Sequence, residues 1–482
     1  MTMPPSEPST SQQSTSQPST REPSIEQYGY QQELKRSLSF WDLMIYGLIF
    51  MVPIAPFGIF GSVYNASGGM VAMAYIVGGI GMAFTASSYA QMSRAFPMSG
   101  SVYTYAGRGI AGPVGFIGGW MILLDYILVP ALLYIVAGAA MNSFVPGVPI
   151  WAWVIFFIVL NTTINYFGIE LTARVNKYML IAELVVLAIF LVIGLWALAS
   201  GKGVGFSAIP FYDARTFSVG IVFTATSIAV LSFLGFDAIS TLAEENREGA
   251  RSIGRAMVGA LVLAGLLFIV QTWVAALLVP DRHTLLTKGD SAGTAFYDAA
   301  AVAGGHWLLV LTAVATAVAW GFADALVAQA ATSRLLFAMA RDRQLPAFLR
   351  KVHPTYRVPE NATFLIAAVS IGVGVYMASR SDGITLLSEM VNFGALTAFI
   401  LLHLSVISHF VVRGGSWALQ HWLVPLLGVL ILGYVLWSAN LAAQRLGLSW
   451  LALGIVVAIG LYLAGRRLEM PDIPEEMESA RE

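Results

Sequence analysis

The strongest constraint in this chain is the repeated occurrence of apolar runs long enough to cross a bilayer. A hydrocarbon core of about 30 Å needs about 20 mostly apolar helical residues, with about 17 to 25 as the working range. By that ruler twelve runs qualify, starting near Trp41, Met70, Pro113, Ile150, Asn176, Phe217, Ser252, Gly304, Asn361, Ile384, His421 and Leu448. Several exceed the need and are expected to tilt. The eighth, roughly Gly304 to Ala340, is the longest. Composition agrees, with 57% of the 482 residues apolar and 11% charged, where soluble proteins carry about a quarter charged residues. The expectation is an all-α polytopic membrane protein with 12 transmembrane helices.

Charge and cysteine content exclude several classes. The 26 basic residues nearly balance the 27 acidic ones, so no basic excess attracts nucleic acid. The absence of cysteine removes disulfides, thiolate catalysis and cysteine-ligated metals. Six scattered histidines form no metal motif, and no metal or other cofactor is expected. Residues 1–36 are rich in Ser, Thr, Gln and Pro; they read as a disordered tail and lack the apolar region of a signal peptide.

The positive-inside rule sets an orientation. With a cytoplasmic amino terminus, 18 basic residues fall inside and six outside, namely Lys202, Arg215, Arg282, Lys288, Arg380 and Arg445. The remaining two, Arg21 and Arg481, lie on the tails, so both termini are expected in the cytoplasm of a plasma (inner) membrane protein.

Two runs carry breakers at their midpoints. In the first, the stretch from Met51 to Gly61 holds Pro53, Pro56, Gly58 and Gly61, and each proline removes an amide donor and clashes with the preceding turn. In the sixth, Gly235 stands beside an intramembrane acid, Asp237. Non-helical backbone at bilayer depth persists only where protein or a cavity surrounds it. Breaks in spans one and six, five apart, suit two five-helix units of opposite orientation, and such breaks mark transporter binding sites. The plainer alternative is a pair of kinks in packed helices.

The segment from Ser333 to Pro346 (SRLLFAMARDRQLP) resembles the signature after helix eight of the amino acid-polyamine-organocation superfamily. In that family's order come Phe96 to Tyr105, Gly118-Gly119-Trp120, Ser232 to Asp237 and Val391 to Leu396, and the likeness runs from about residue 34 to the end of span twelve. Leu123-Leu124-Asp125-Tyr126 and Phe233 to Ala238 are most similar to the putrescine importer branch. The resemblance implies a LeuT-type 5+5 inverted repeat with broken helices 1 and 6, working by alternating access. Residues 37–410 would form its ten-helix transport core, 411–468 the peripheral helices 11 and 12, and 469–482 a cytoplasmic tail.

Four acids and no base fall within the predicted spans: Asp125, Glu183, Asp237 and Asp324. A charge at the helix centre costs about 2.5 to 3.5 kcal/mol on insertion scales, so uncompensated carboxylates must hold protons or be neutralised by a bound cation. Asp237 either receives a substrate ammonium or caps freed amides; the resemblance places an acid here in polyamine carriers. Asp125 with Tyr126 either binds the distal amine, the ring adding cation-π attraction, or bonds helix to helix. Glu183 falls where several amino-acid carriers of the superfamily place a lysine, and holds a proton or cation or serves as an interhelical acid. Asp324 departs from the related importers and is either a proton relay or a partner of Gln329 or a nearby serine. Glu244 and Glu245 read as a solvated charge run beside Arg247, and His403 and His409 as packing residues.

The substrate reading follows from the first break. Amino-acid carriers of the superfamily typically hold the substrate carboxylate in a small-residue cradle at the broken helix, whereas here Pro56 has no amide to give. Pro56, Phe57, Gly58 and Gly235 are expected at the substrate site, Phe236 as its lid, and Phe57, Phe60, Phe236 and Trp320 as apolar walls. The function expected is a secondary transporter importing putrescine or a similar polyamine with proton coupling. An amino-acid permease is the alternative. A channel would show a repeated selectivity motif and an enzyme a nucleophile-base or metal constellation, and neither is visible.

Overall fold

In the computed structural model the described residues are 34–463 apart from 146, 291–292, 381–382 and 440. Backbone in hydrocarbon must satisfy its own hydrogen bonds, and helices do so within one segment. The described chain is accordingly helical, with a lone bridge between Leu38 and Asn246. The α-helices are α1 (Phe40–Met51), α2 (Pro56–Ala66), α3 (Val71–Ala95), α4 (Ser101–Gly109), α5 (Gly112–Phe144), α6 (Ile150–Tyr166), α7 (Ile169–Ala199), α8 (Val219–Ala229), α9 (Ala250–Leu278), α10 (Arg282–Lys288), α11 (Ala295–Gly304), α12 (His306–Val318), α13 (Ala325–Arg341), α14 (Glu360–Ala378), α15 (Gly383–Val406), α16 (Leu419–Trp437) and α17 (Leu441–Leu463).

The expected count of twelve spans is corrected. Among the described residues ten helices are long and apolar enough to cross a membrane, or eleven if the bent pair α1 and α2 is taken as one span. The difference lies in α6, whose 17 residues reach only about 26 Å at about 1.5 Å per residue, short of the core thickness. The expectation of matching breaks in helices 1 and 6 of a LeuT-type inverted repeat is also overturned. One bent pair exists among the described helices, α1 with α2 at 53°. The sixth run instead changes winding from α to 3-10 and continues as one span of 27 residues, Val219–Glu245. Both termini, including the expected tail 469–482, lie outside the described residues. Of the tail expected over 1–36 only 34–36 are described, and Leu34 there is buried.

Local chemistry explains the elements that form the cavity. Helix α1 opens on a capping box, with the Ser39 side chain accepting from the Asp42 amide and Asp42 accepting from the Ser39 amide at 2.9 Å. It ends at Val52, whose φ of 48° is a left-handed conformation that a β-branched side chain resists, at a cost of about 1–3 kcal/mol. Pro53 follows, its carbonyl accepting from Gln271 Nε2 of α9 at 2.9 Å. Pro56 then starts α2 at the one helical position where a missing amide does no harm.

After α8 come 3-10 turns over Val230–Phe233 and Phe236–Glu245, separated by Leu234 and Gly235. Gly235 has φ 118°, and a Cβ there would stand 2.7 Å from Phe50 Cγ and 2.8 Å from the Phe50 carbonyl carbon. Only glycine lets the end of α1 and this turn cross so closely. A π-helical turn, Ala319–Asp324, separates α12 from α13, a winding that is rare and concentrates at functional sites.

Helix α5 runs through the bundle against α4, α6, α13 and α15 and contains Pro130. That proline frees the carbonyl four residues back, on Tyr126. The Thr332 hydroxyl of α13 donates to it across 2.6 Å. At the periphery the rings of Trp120 and Trp450 stack at 4.7 Å. Each indole N–H donates to the other residue's carbonyl, at 3.0 and 2.9 Å, which ties α17 to α5.

Candidate solute-binding site

The end of α1, the start of α2, the middle of α5, the Leu234–Gly235 turn and the π-turn enclose a cavity. Its walls are mostly apolar, among them Phe50, Val52, Val129, Leu132, Leu133 and Leu234, with the Trp320 indole on one side. Two carboxylates line it, Asp125 and Asp324. Asp125 is 3% exposed and has no hydrogen-bond partner among the described residues. Asp324 is 6% exposed, and its Oδ1 is likewise without a partner among them. The expected pairing of Asp324 with Gln329 does not form, because Gln329 bonds Asn165 and Thr162 at 2.9 and 2.7 Å. Ser232 also lines the cavity and shares a 3.2 Å hydrogen bond with Tyr75.

Asp237 stands elsewhere. It is fully buried behind the cavity wall, its Oδ2 accepting from the Tyr126 hydroxyl at 2.5 Å and its Oδ1 from the Gly235 amide at 3.2 Å. Of the two uses read for it in the sequence, the structure shows the capping of a freed amide. Phe236 is not poised over the cavity; it packs against Tyr89 and Phe399, with ring centroids 5.8 and 6.0 Å away. Phe57 likewise faces away, stacked on Phe296 at 4.0 Å, and Phe60 meets the same ring edge-on at 5.7 Å. Pro56 and Gly58 sit at the break without lining the cavity, and Gly58 lies close under Trp320. Of the expected residues, the structure therefore gathers Asp125, Asp324, Gly235 and Trp320, and sets Tyr126, Asp237, Phe236 and Phe57 into the surrounding packing.

The amides at the start of α2 bear on what the cavity can hold. The Phe57 N–H donates to the Ile54 carbonyl at 2.9 Å and the Gly58 N–H to the Ala55 carbonyl at 3.1 Å, while Pro56 has none. A solute carboxylate arriving at this helix end finds these donors already engaged.

Glu183 occupies a separate groove between α7 and α12, lined by Met179, Val186, Leu311, Val314 and Val318. It is 5% exposed and neither carboxylate oxygen has a partner among the described residues. The π-turn borders both groove and cavity, with Ala319 lining the groove and Trp320 and Asp324 the cavity.

Sequence reasoning missed a buried ion-pair layer. Glu244 and Glu245, read as solvated, are each 1% exposed. Glu245 forms a bidentate pair with Arg334 of α13, and Glu244 pairs with Arg341 at 2.9 Å while accepting from the Ser99 amide at 3.0 Å. Arg334 is 3% exposed inside a predicted span, which corrects the reading that the spans hold no base. The signal was present, since Arg334 is flanked by apolar turns and a charge in that setting requires a partner. His403, expected as a packing residue, is held between Ser88 and Thr85 at 2.8 and 3.2 Å. His409 packs its ring on Phe96 at 5.0 Å.

Comparison with known proteins gives a consistent family signal. The family model described as amino acid permease matches residues 38–464. The low-affinity putrescine importer PlaP of Escherichia coli (strain K12) is 31% identical over 432 residues, covering 88% of this chain and 93% of PlaP. The branched-chain amino acid permease BcaP of Bacillus subtilis (strain 168) is 26% identical over 407 residues, covering 78% and 81% of the two chains. The methylthioribose transporter of the same organism is 26% identical over 456 residues, covering 89% and 92%. The solutes in these names differ, so similarity alone does not select one for this cavity.

Proposed function

The chain belongs to the amino acid permease family, whose members are transporters and not enzymes, and from that premise we propose that it imports putrescine or a related aliphatic polyamine. It is a multi-pass membrane protein of the amino acid-polyamine-organocation superfamily, a secondary transporter of small polar or charged solutes. The observation that carries the finer reading is the charge of the cavity. Asp125 offers an unpaired, buried carboxylate on an apolar wall, while the α2 amides that would receive a solute carboxylate are engaged. A buried anion without a partner is costly, and an ammonium group relieves that cost. An α-amino acid brings a second anion, which the engaged amides at the start of α2 do not meet.

In the proposed cycle Asp125 receives an ammonium group, the apolar walls take the methylene chain, and alternating access carries the solute to the cytoplasm of a plasma (inner) membrane. Glu183, unpaired in its apolar groove, holds the coupling proton. Asp237 and Tyr126 support the site from behind by fixing the Gly235 turn. The similarity to a putrescine importer supports the same choice of solute.

The test is uptake of labelled putrescine into proteoliposomes with and without an imposed pH gradient, in competition with cadaverine, spermidine, ornithine and alanine. Competition by cadaverine and stimulation by an acidic exterior are expected. Competition by alanine without competition by cadaverine would remove the polyamine reading.

A further inference from the structure

We infer that Asp125 and Asp324 act together as a two-point clamp that selects solutes bearing an amine at each end. The inference rests on the amine reading above and goes beyond it by assigning the second amine to Asp324 of the π-turn instead of Asp237. Both carboxylates line one cavity, both are more than nine-tenths buried, and the described residues offer neither of them a cation. Asp237, by contrast, is committed to the Tyr126 hydroxyl and the Gly235 amide and stands outside that cavity.

The selectivity follows from counting charges in a medium with few dipoles. Two unpaired anions in an apolar enclosure are costly, and each is relieved either by a cation of its own or by taking up a proton. A diamine supplies two cations and lets both carboxylates stay charged, whereas a monoamine leaves one of them to be protonated. The same cavity is lined by Val129, Leu132 and Leu133 and by the indole of Trp320, apolar surface that suits methylene groups. Trp320 also presents a ring face able to attract an ammonium group. The π-turn is what brings Asp324 here, since it inserts its wider winding between α12 and α13 at Ala319–Asp324, and both Trp320 and Asp324 line the cavity.

The experiment compares putrescine with 1-aminobutane, which has the same carbon chain and one amine, as competitors of labelled putrescine uptake by the full chain in proteoliposomes. The natural protein is expected to prefer putrescine by about 30-fold or more, the lower end of what one buried charge partner contributes. D324N is expected to bring putrescine to within about threefold of 1-aminobutane while the monoamine's own affinity moves by less than about threefold, whereas D125N weakens both. D324E is expected to keep the diamine preference. Equal competition by the two amines in the natural protein overturns the clamp without any variant having to fold. So does a D324N protein that keeps the full preference and loses its response to a pH gradient, since Asp324 would then be a coupling acid. Failure of both amines to compete, with alanine competing, instead removes the underlying amine reading.

Discussion

The Tyr126 hydroxyl donates to Asp237 Oδ2 across 2.5 Å, joining α5 to the Gly235 turn where that turn crosses the end of α1. Both side chains are buried, so losing the hydroxyl takes a hydrogen bond from a carboxylate shielded from bulk solvent. Tyr126→Phe is therefore expected to lower stability by about 1–3 kcal/mol, the cost of leaving a buried polar group unsatisfied. Thermal unfolding in detergent measures it, and an unchanged transition would show that the bond contributes nothing.

Gly235→Ala is expected to be more severe. The added Cβ meets Phe50 within 2.8 Å at both the ring and the main chain, at a φ of 118° that L side chains avoid. The backbone term alone is about 1–3 kcal/mol. Because one clash is with the Phe50 carbonyl carbon, Phe50→Ala is expected to give little rescue. Recovery of a monodisperse, thermally stable double variant would contradict this account.

The Arg334–Glu245 pair makes a thermodynamic-cycle prediction. Removing one partner leaves a buried charge without compensation, so Glu245→Gln or Arg334→Met alone is expected to cost about 3–5 kcal/mol. Replacing both with apolar residues is expected to recover much of that loss. Strictly additive losses in thermal unfolding would mean that the two groups do not interact.

Glu183→Gln tests the coupling assignment. The variant keeps the shape of the side chain and removes its capacity to exchange a proton, so putrescine exchange without a gradient is expected to persist. Stimulation by an acidic exterior is expected to vanish. A variant that still responds fully to the gradient would place the coupling proton elsewhere.

Much of this architecture was legible in the chain because it is local. Apolar length marks helices, and Pro53 and Pro56 mark the α1–α2 bend, since a missing amide acts on its own turn. The span count failed at α6 because a ruler starting at about 17 residues admits a helix whose 17 residues sit on that limit. The acids at the cavity were visible as intramembrane charges, yet their roles were not. Asp237 finds its hydroxyl partner 111 positions away, and Glu245 and Glu244 find their arginines 89 and 97 positions away. Adjacent charges at a helix end look solvated until such distant partners are placed. Phe236 and Phe57 failed as cavity walls for a related reason: which neighbour an aromatic ring meets depends on tertiary packing that helical spacing alone does not fix.

The hydrogen bond from the Thr332 hydroxyl to the carbonyl that Pro130 frees has a mechanical consequence. Thr332 holds the freed Tyr126 carbonyl, so sliding α13 along α5 by one turn would have to break a bond between backbone and side chain in the protein interior. The two helices act as a single strut at the height of the cavity. The α1–α2 corner, bent by 53°, is by contrast a part of the cavity wall where the helix is interrupted.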